Sequence, residues 1–165
     1  MGKHFKEKSC FRLATGLLLI MALLVSSLAM PVKASAASAS ANRKAVLKLV
    51  NKERDKRNRG KLVLDSKLNK AAQKRAKEIA REFSHTRPNG SSCFTVLKSY
   101  HAQYTTCGEN IAAGQPTAKQ VMSSWMHSPG HRQNILQQKF QKMGVGYYKK
   151  KGDSYTYYWV QIFTD

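Results

Sequence analysis

Apolar positions along this chain change period twice. From Leu13 to Met30 they follow one another almost without interruption, from Val46 to Trp125 they recur every three or four residues, and from Met143 to Phe163 they alternate. The middle pattern predicts helices. Val46, Leu49 and Val50 place one over about Asn42–Asn58, stopped by Gly60. After the short apolar connector Leu62-Val63-Leu64, Asp65 reads as an N-cap, and Leu68, Ala72, Ala76, Ile79, Ala80 and Phe83 form one buried helical face. Arg87-Pro88-Asn89-Gly90 signals a turn, residues 93–100 read as a short helix or an irregular segment, and Gly108 to Gly114 reads as a loop. Thr117 caps a further helix to about Ser128, with Val121, Met122 and Trp125 inward, and one more turn is expected from His131 to Leu136. Met143, Val145 and Tyr147, then Tyr155, Tyr157, Trp159, Gln161 and Phe163, predict a closing hairpin that turns near Gly152-Asp153. Helices first and antiparallel strands last give an α+β domain whose helices cover the sheet. The final tyrosines are expected to alternate between the core and an exposed sheet face.

The uninterrupted run follows Lys3, Lys6, Lys8 and Arg12 and precedes Ala34-Ser35-Ala36, the order of a secretory signal peptide. Residues 1–36 are therefore expected to be a leader cut after Ala36, residues 37–44 a short Ala/Ser-rich linker, and residues 45–165 one secreted, extracellular domain. An uncleaved membrane anchor is the alternative, because about 18 apolar residues just span a bilayer. The chain carries 29 Lys and Arg against nine Asp and Glu, a net charge of +20, and losing five cations and one anion with the leader leaves +16. Charge of that size speaks to partners and solubility rather than to fold. The cations show no nucleic-acid module and no interleaved stacking aromatics, so nucleic acid is not expected as a partner. An anionic cell-wall polymer or host surface is.

Removing Cys10 with the leader leaves Cys93 and Cys107, an even pair in an oxidising compartment, for which a disulfide is expected. Two free buried thiols are the alternative. Polar residues at element ends are the candidates for chemistry. Three places qualify: Phe83-Ser84-His85, Gly108-Glu109-Asn110-Ile111 and Ser128-Pro129-Gly130-His131.

Four ordered stretches carry a resemblance to a known family. Phe83-Ser84-His85-Thr86-Arg87-Pro88, Gly108-Glu109-Asn110-Ile111-Ala112, the run from Trp125 to Leu136 and Gly144-Val145-Gly146 resemble the bacterial branch of the CAP (SCP) domain. That family groups cysteine-rich secretory proteins, antigen 5 and plant pathogenesis-related proteins. The resemblance covers about Ala45 to Phe163 and implies a three-layer α-β-α sandwich with a cleft of two histidines and acidic residues, reported in some relatives to hold a divalent metal. It places His85, Glu109 and His131 in that cleft. Many eukaryotic members carry a second glutamate a few residues beyond the tryptophan, whereas Trp125 is followed here by Met126, His127 and Ser128. The four-residue site is thus incomplete, with His127 as a substitute candidate.

Two neutral imidazoles and one carboxylate with an open position form a zinc set. The same groups without metal can do acid-base work. A hydrogen-bonded cluster that only pins loops together is the structural alternative. His127 and His131 are four apart, but Pro129-Gly130 interrupts the helix and no glutamate follows His127, which excludes the H-E-x-x-H motif. Ser84, Ser123, Ser124 and Ser128 lack a nucleophile-elbow pattern. The expectation is a secreted binding module whose cleft takes a small ligand, peptide, lipid or divalent metal. The alternative is a peptidase-like hydrolase in which His85, Glu109 and His131 activate water.

Overall fold

The computed structural model describes residues 31–165. The expected leader lies outside the described residues as far as Met30. Helix α1 is Pro31–Asp55, and its backbone runs through the Ala/Ser stretch expected to be a linker. After it come β1 (Val63–Leu64), α2 (Ser66–Ile79), α3 (Thr95–Lys98), β2 (Cys107–Ala113), α4 (Ala118–His127), α5 (Pro129–Leu136), β3 (Lys142–Lys149) and β4 (Tyr157–Thr164). The N-caps are those the sequence predicts. Asp65 accepts from Leu68 N at 2.9 Å and Thr117 accepts from Gln120 N at 3.2 Å, satisfying first-turn amides that the helices cannot.

The four strands lie in the order β1-β3-β4-β2, parallel between β1 and β3 and antiparallel elsewhere. Alternation along β4 sends Trp159 and Phe163 into a core with Val46, Val50, Val121, Met122, Trp125 and Ile135, from α1, α4 and α5. It sends Tyr158, Val160 and Ile162 into a second core with Leu68, Ala72, Ala76 and Ile79 of α2 and Val96 and Leu97 of α3. Helices therefore cover both faces, a three-layer α-β-α sandwich. The expected exposed sheet face does not exist at Tyr158, which α2 buries to 3% exposure.

Residues 108–113 are not the predicted loop but most of β2, an edge strand paired with β4 in the register Glu109↔Ile162 and Asn110↔Gln161. Two buried polar residues at its centre erase the apolar alternation that would have marked it.

Helix α2 meets β3 without intervening side chains. A Cβ on Gly144 would lie 2.1 Å from the Leu68 carbonyl carbon, and one on Gly146 2.0 Å from the Ala72 oxygen. The same approach lets amide side chains close the edge of β3: Val145 N donates to Asn69 Oδ1 at 2.9 Å, Tyr147 N to Gln73 Oε1 at 3.3 Å, and Gln73 Nε2 to Tyr147 O at 2.8 Å. Arg43 Nε donates to Val145 O at 3.0 Å. Strand groups that would otherwise template pairing with another chain are thereby satisfied.

Candidate functional site

The site begins on the buried face of α2. Three alanines there, Ala71, Ala72 and Ala76, leave room for one long side chain, and Arg75 fills it with no exposed surface. Its Nε donates to Glu109 Oε2 at 2.9 Å and its Nη2 to Glu109 Oε1 at 3.3 Å, reaching β2 across the layer. Nη1 donates to Glu78 Oε2 at 2.9 Å, and Nη2 also donates to Ser84 O at 2.7 Å. Glu78 is gripped from outside by Arg87, whose Nη2 and Nε lie 2.7 and 3.1 Å from its two oxygens. Two guanidinium and two carboxylate groups thus form a chain of alternating sign. Burial alone would lower the pKa of Arg75, but its bonds to Glu109 and Glu78 outweigh that and raise it above the ordinary arginine value. Burial raises Glu78, but its bonds to Arg87 and Arg75 reverse the effect and leave it below 4.5.

His85 sits where α2 has ended, and the turn predicted at Arg87–Gly90 folds the chain back beneath it. Gly90 N bonds to Arg87 O at 2.8 Å with Gly90 at φ 77°, a conformation that favours glycine. Cys93 N then bonds to His85 O at 3.1 Å. His85 Nδ1 lies 2.8 Å from Glu109 Oε1, with the imidazole 57% exposed and the carboxylate 1%. Both Glu109 oxygens accept from the Arg75 guanidinium, so the carboxylate accepts from the ring as well, Nδ1 is the donor and Nε2 remains the ring's free acceptor.

His131 approaches from the first turn of α5. Burial, and then the charge of nearby His85, push its pKa below 6.5, so it is neutral at neutral pH. The polar residues that pin α5 to β2 have no charge. Asn110 Nδ2 donates to His131 O and Gln161 Oε1, both at 3.0 Å, and Asn134 Nδ2 donates to Asn110 Oδ1 at 2.8 Å and Glu109 O at 3.2 Å. His127 is elsewhere. Its Nδ1 bonds Ser123 O at 2.8 Å, and it lines a depression of about 440 Å³ with Leu49, Glu53, Met122 and Met126 that contains none of His85, Glu109 and His131.

The disulfide expected between Cys93 and Cys107 is absent; both are free thiols. The Cys93 Sγ lies within 4.8 Å of donor atoms of both His85 and Glu109. Burial first, and then the Glu109 charge, push that thiol up to about 12, which keeps it protonated and a poor nucleophile.

These donors do not suit a resident divalent ion. An ion on Glu109 Oε1 would face the Arg75 guanidinium, 3.3 Å from that oxygen, in a site closed to water on that side. It would also displace the His85–Glu109 hydrogen bond and require a thiolate at Cys93. The zinc set expected of His85, His131 and Glu109 therefore has its carboxylate already committed. What the arrangement does is hold one imidazole rigidly by one nitrogen while exposing the other.

Arg75 and Asn134 complete the cluster and were not singled out from the sequence as members of a site, Cys93 was expected only as a disulfide partner, and Asn110 was noted only as the neighbour of Glu109. An arginine amid alanines on an apolar helical face is the one signal that would have found the first.

The profile of the cysteine-rich secretory protein family, CAP, matches residues 47–163. The protein YkwD of Bacillus subtilis (strain 168) is 42% identical over 112 residues, which are 67% of this chain and 44% of that protein. The chain thus spans less than half the length of this curated relative. Among solved structures, an extracellular SCP-domain protein from Bacillus anthracis str. Ames superposes with a TM-score of 0.72 at 27% identity, over 84% of this chain and 45% of that one. An outer surface protein from Borrelia burgdorferi shares the fold, with a TM-score of 0.66 at 22% identity over 74% and 90% of the two chains. Fold, ordered motifs and family profile agree, and the chain belongs to the CAP family of cysteine-rich secretory proteins.

Proposed function

We propose that this chain is an exported CAP-type interaction module that binds a small ligand or peptide at His85 and is drawn to acidic surfaces by its charge. One observation carries the reading: a half-exposed imidazole anchored on a fully buried Glu109–Arg75 pair. A hydrogen-bonding group fixed before the ligand arrives loses little freedom on binding. Neutral His131, close enough for its titration to feel His85, supplies a second ring that can accept or donate. Export is supported by the basic, apolar and small-residue order of residues 3–36, and by the descriptions of the B. anthracis and B. burgdorferi neighbours as extracellular and outer-surface proteins. Among the described residues no helix is long and apolar enough to cross a membrane.

A panel of short muropeptides titrated against protein labelled at its histidines tests the cleft. The expected result is that a binding peptide shifts the His85 ring signals, and that His85→Ala weakens it by about 1–2 kcal/mol, the scale of a directed hydrogen bond. Equal affinity for wild type and His85→Ala would remove the cleft from the account.

A further inference from the structure

The outward face of α2 carries a row of cations at helical spacing. Lys67, Lys70, Lys74 and Lys77, with Arg81 just beyond the helix, are all exposed. At 3.6 residues per turn they fall within an arc of about 80°, opposite the face that buries Leu68, Ala71, Ala72, Arg75, Ala76 and Ile79. Successive charges are about 5 Å apart along the axis, at 1.5 Å rise per residue. None of the five takes part in an ion pair among the described residues. Of the carboxylates near this arc, Glu78 is turned in and held by Arg75 and Arg87, and Glu82 stands exposed next to Arg81 at the row's end, while Lys67 Nζ also donates to His101 O at 2.9 Å. At the end of the row, Lys150 Nζ donates to Ala80 O at 2.9 Å and brings the hairpin against the helix terminus.

We infer that this ridge is the docking surface for a linear phosphodiester polymer of polyols. This rests on the proposed attraction to acidic surfaces and names the face and the chemistry responsible for it. Like charges three and four residues apart repel one another, and a chain of closely spaced anions laid along the row relieves them. Three features set the occupant. A straight row of single charges about 20 Å long, from Lys67 to Arg81, matches a linear anion rather than a compact one. No large apolar side chain is exposed on α2 itself, and the nearest exposed ones, Phe83 and Tyr155, lie together beyond Arg81 at one end of the row, so the lysines lack the flanking apolar stripe with which helices enter a bilayer surface. No aromatic residue is interleaved with the lysines of α2, the Phe83–Tyr155 pair lying past their end, so the row offers no run of platforms for successive nucleic-acid bases.

The test compares two triple variants with the same loss of charge. Lys70→Gln/Lys74→Gln/Lys77→Gln removes the centre of the ridge, and Lys44→Gln/Lys48→Gln/Lys52→Gln removes three exposed lysines of α1. Binding of the full chain to purified poly(glycerol phosphate) is measured between about 50 and 200 mM salt. The ridge variant is expected to lose about tenfold or more in affinity and to flatten the log–log salt slope by about 2, while the α1 variant changes affinity by less than about threefold. Equal losses in the two variants would overturn the ridge and leave only attraction by net charge. Ridge-dependent binding that is stronger to phosphatidylglycerol vesicles or single-stranded DNA than to the polymer would overturn its assignment to a polyol phosphate. Failure of the wild type to bind any of the three probes would overturn the attraction to acidic surfaces itself.

Discussion

Buried between two carboxylates, the Arg75 guanidinium links the stability of the sandwich to the geometry of its cleft. Arg75→Met leaves Glu109 a buried charge without its partner and is expected to cost about 3–5 kcal/mol in denaturant unfolding. Adding Glu109→Leu should recover much of that loss, because the desolvated charge goes with it. His131 gives a separate test through pH. Its folded pKa is below the unfolded value of 6.5, so the unfolded chain takes up a proton first as pH falls. The folded state is therefore at its full stability above about pH 6.5 and loses part of it as pH drops from there toward the depressed folded value. His131→Gln should flatten that part of the stability–pH curve, read from denaturation midpoints between about pH 7.5 and 5.

Helix α2 is the element on which fold and site both rest, since it seats directly on the backbone of β3. Gly146→Ala would put a methyl group against the Ala72 carbonyl, and an overpacking cost of about 1–3 kcal/mol or more is expected. Gly60→Ala, where nothing lies within 4 Å, should be nearly neutral. A shifted urea midpoint with unchanged slope for the first and little shift for the second is the predicted reading. The helices and the hairpin were legible in the sequence because one apolar period ran unbroken through each. The strand β2 was not, because Glu109 and Asn110 occupy its centre and their partners, Arg75 and Asn134, are 34 and 24 residues away. The start of α1 was missed for a different reason. Small Ala and Ser residues carry no apolar stripe, so the helix there has no period to read.

For the molecule as a whole, charge and cleft are separate devices. The net charge, +20 for the whole chain and +16 without the expected leader, makes the surface repel itself, and screening should relieve that. Raising sodium chloride from about 10 mM to 0.15 M, which shortens the Debye length from about 30 to 8 Å, is therefore expected to raise Tm in a thermal scan. The residues of the cleft were legible through their motifs, and the pairing of His85 with Glu109 is a contact between two of them. The anchor beneath them was not, since Arg75 reads as one more cation in a chain of 29 Lys and Arg. Nor was the state of Cys93. Counting thiols finds a pair but says nothing of what surrounds each, and Cys93 stands beside His85 and Glu109.

The central claim is that Glu109, fixed by Arg75, holds the Nδ1 proton of His85 and leaves Nε2 open to a ligand. Long-range proton–nitrogen correlation spectra of the imidazole rings, followed to alkaline pH, read this directly. The account predicts the Nδ1–H tautomer for His85 in the wild type and its loss in Glu109→Ala. An Nε2–H tautomer in the wild type would contradict it.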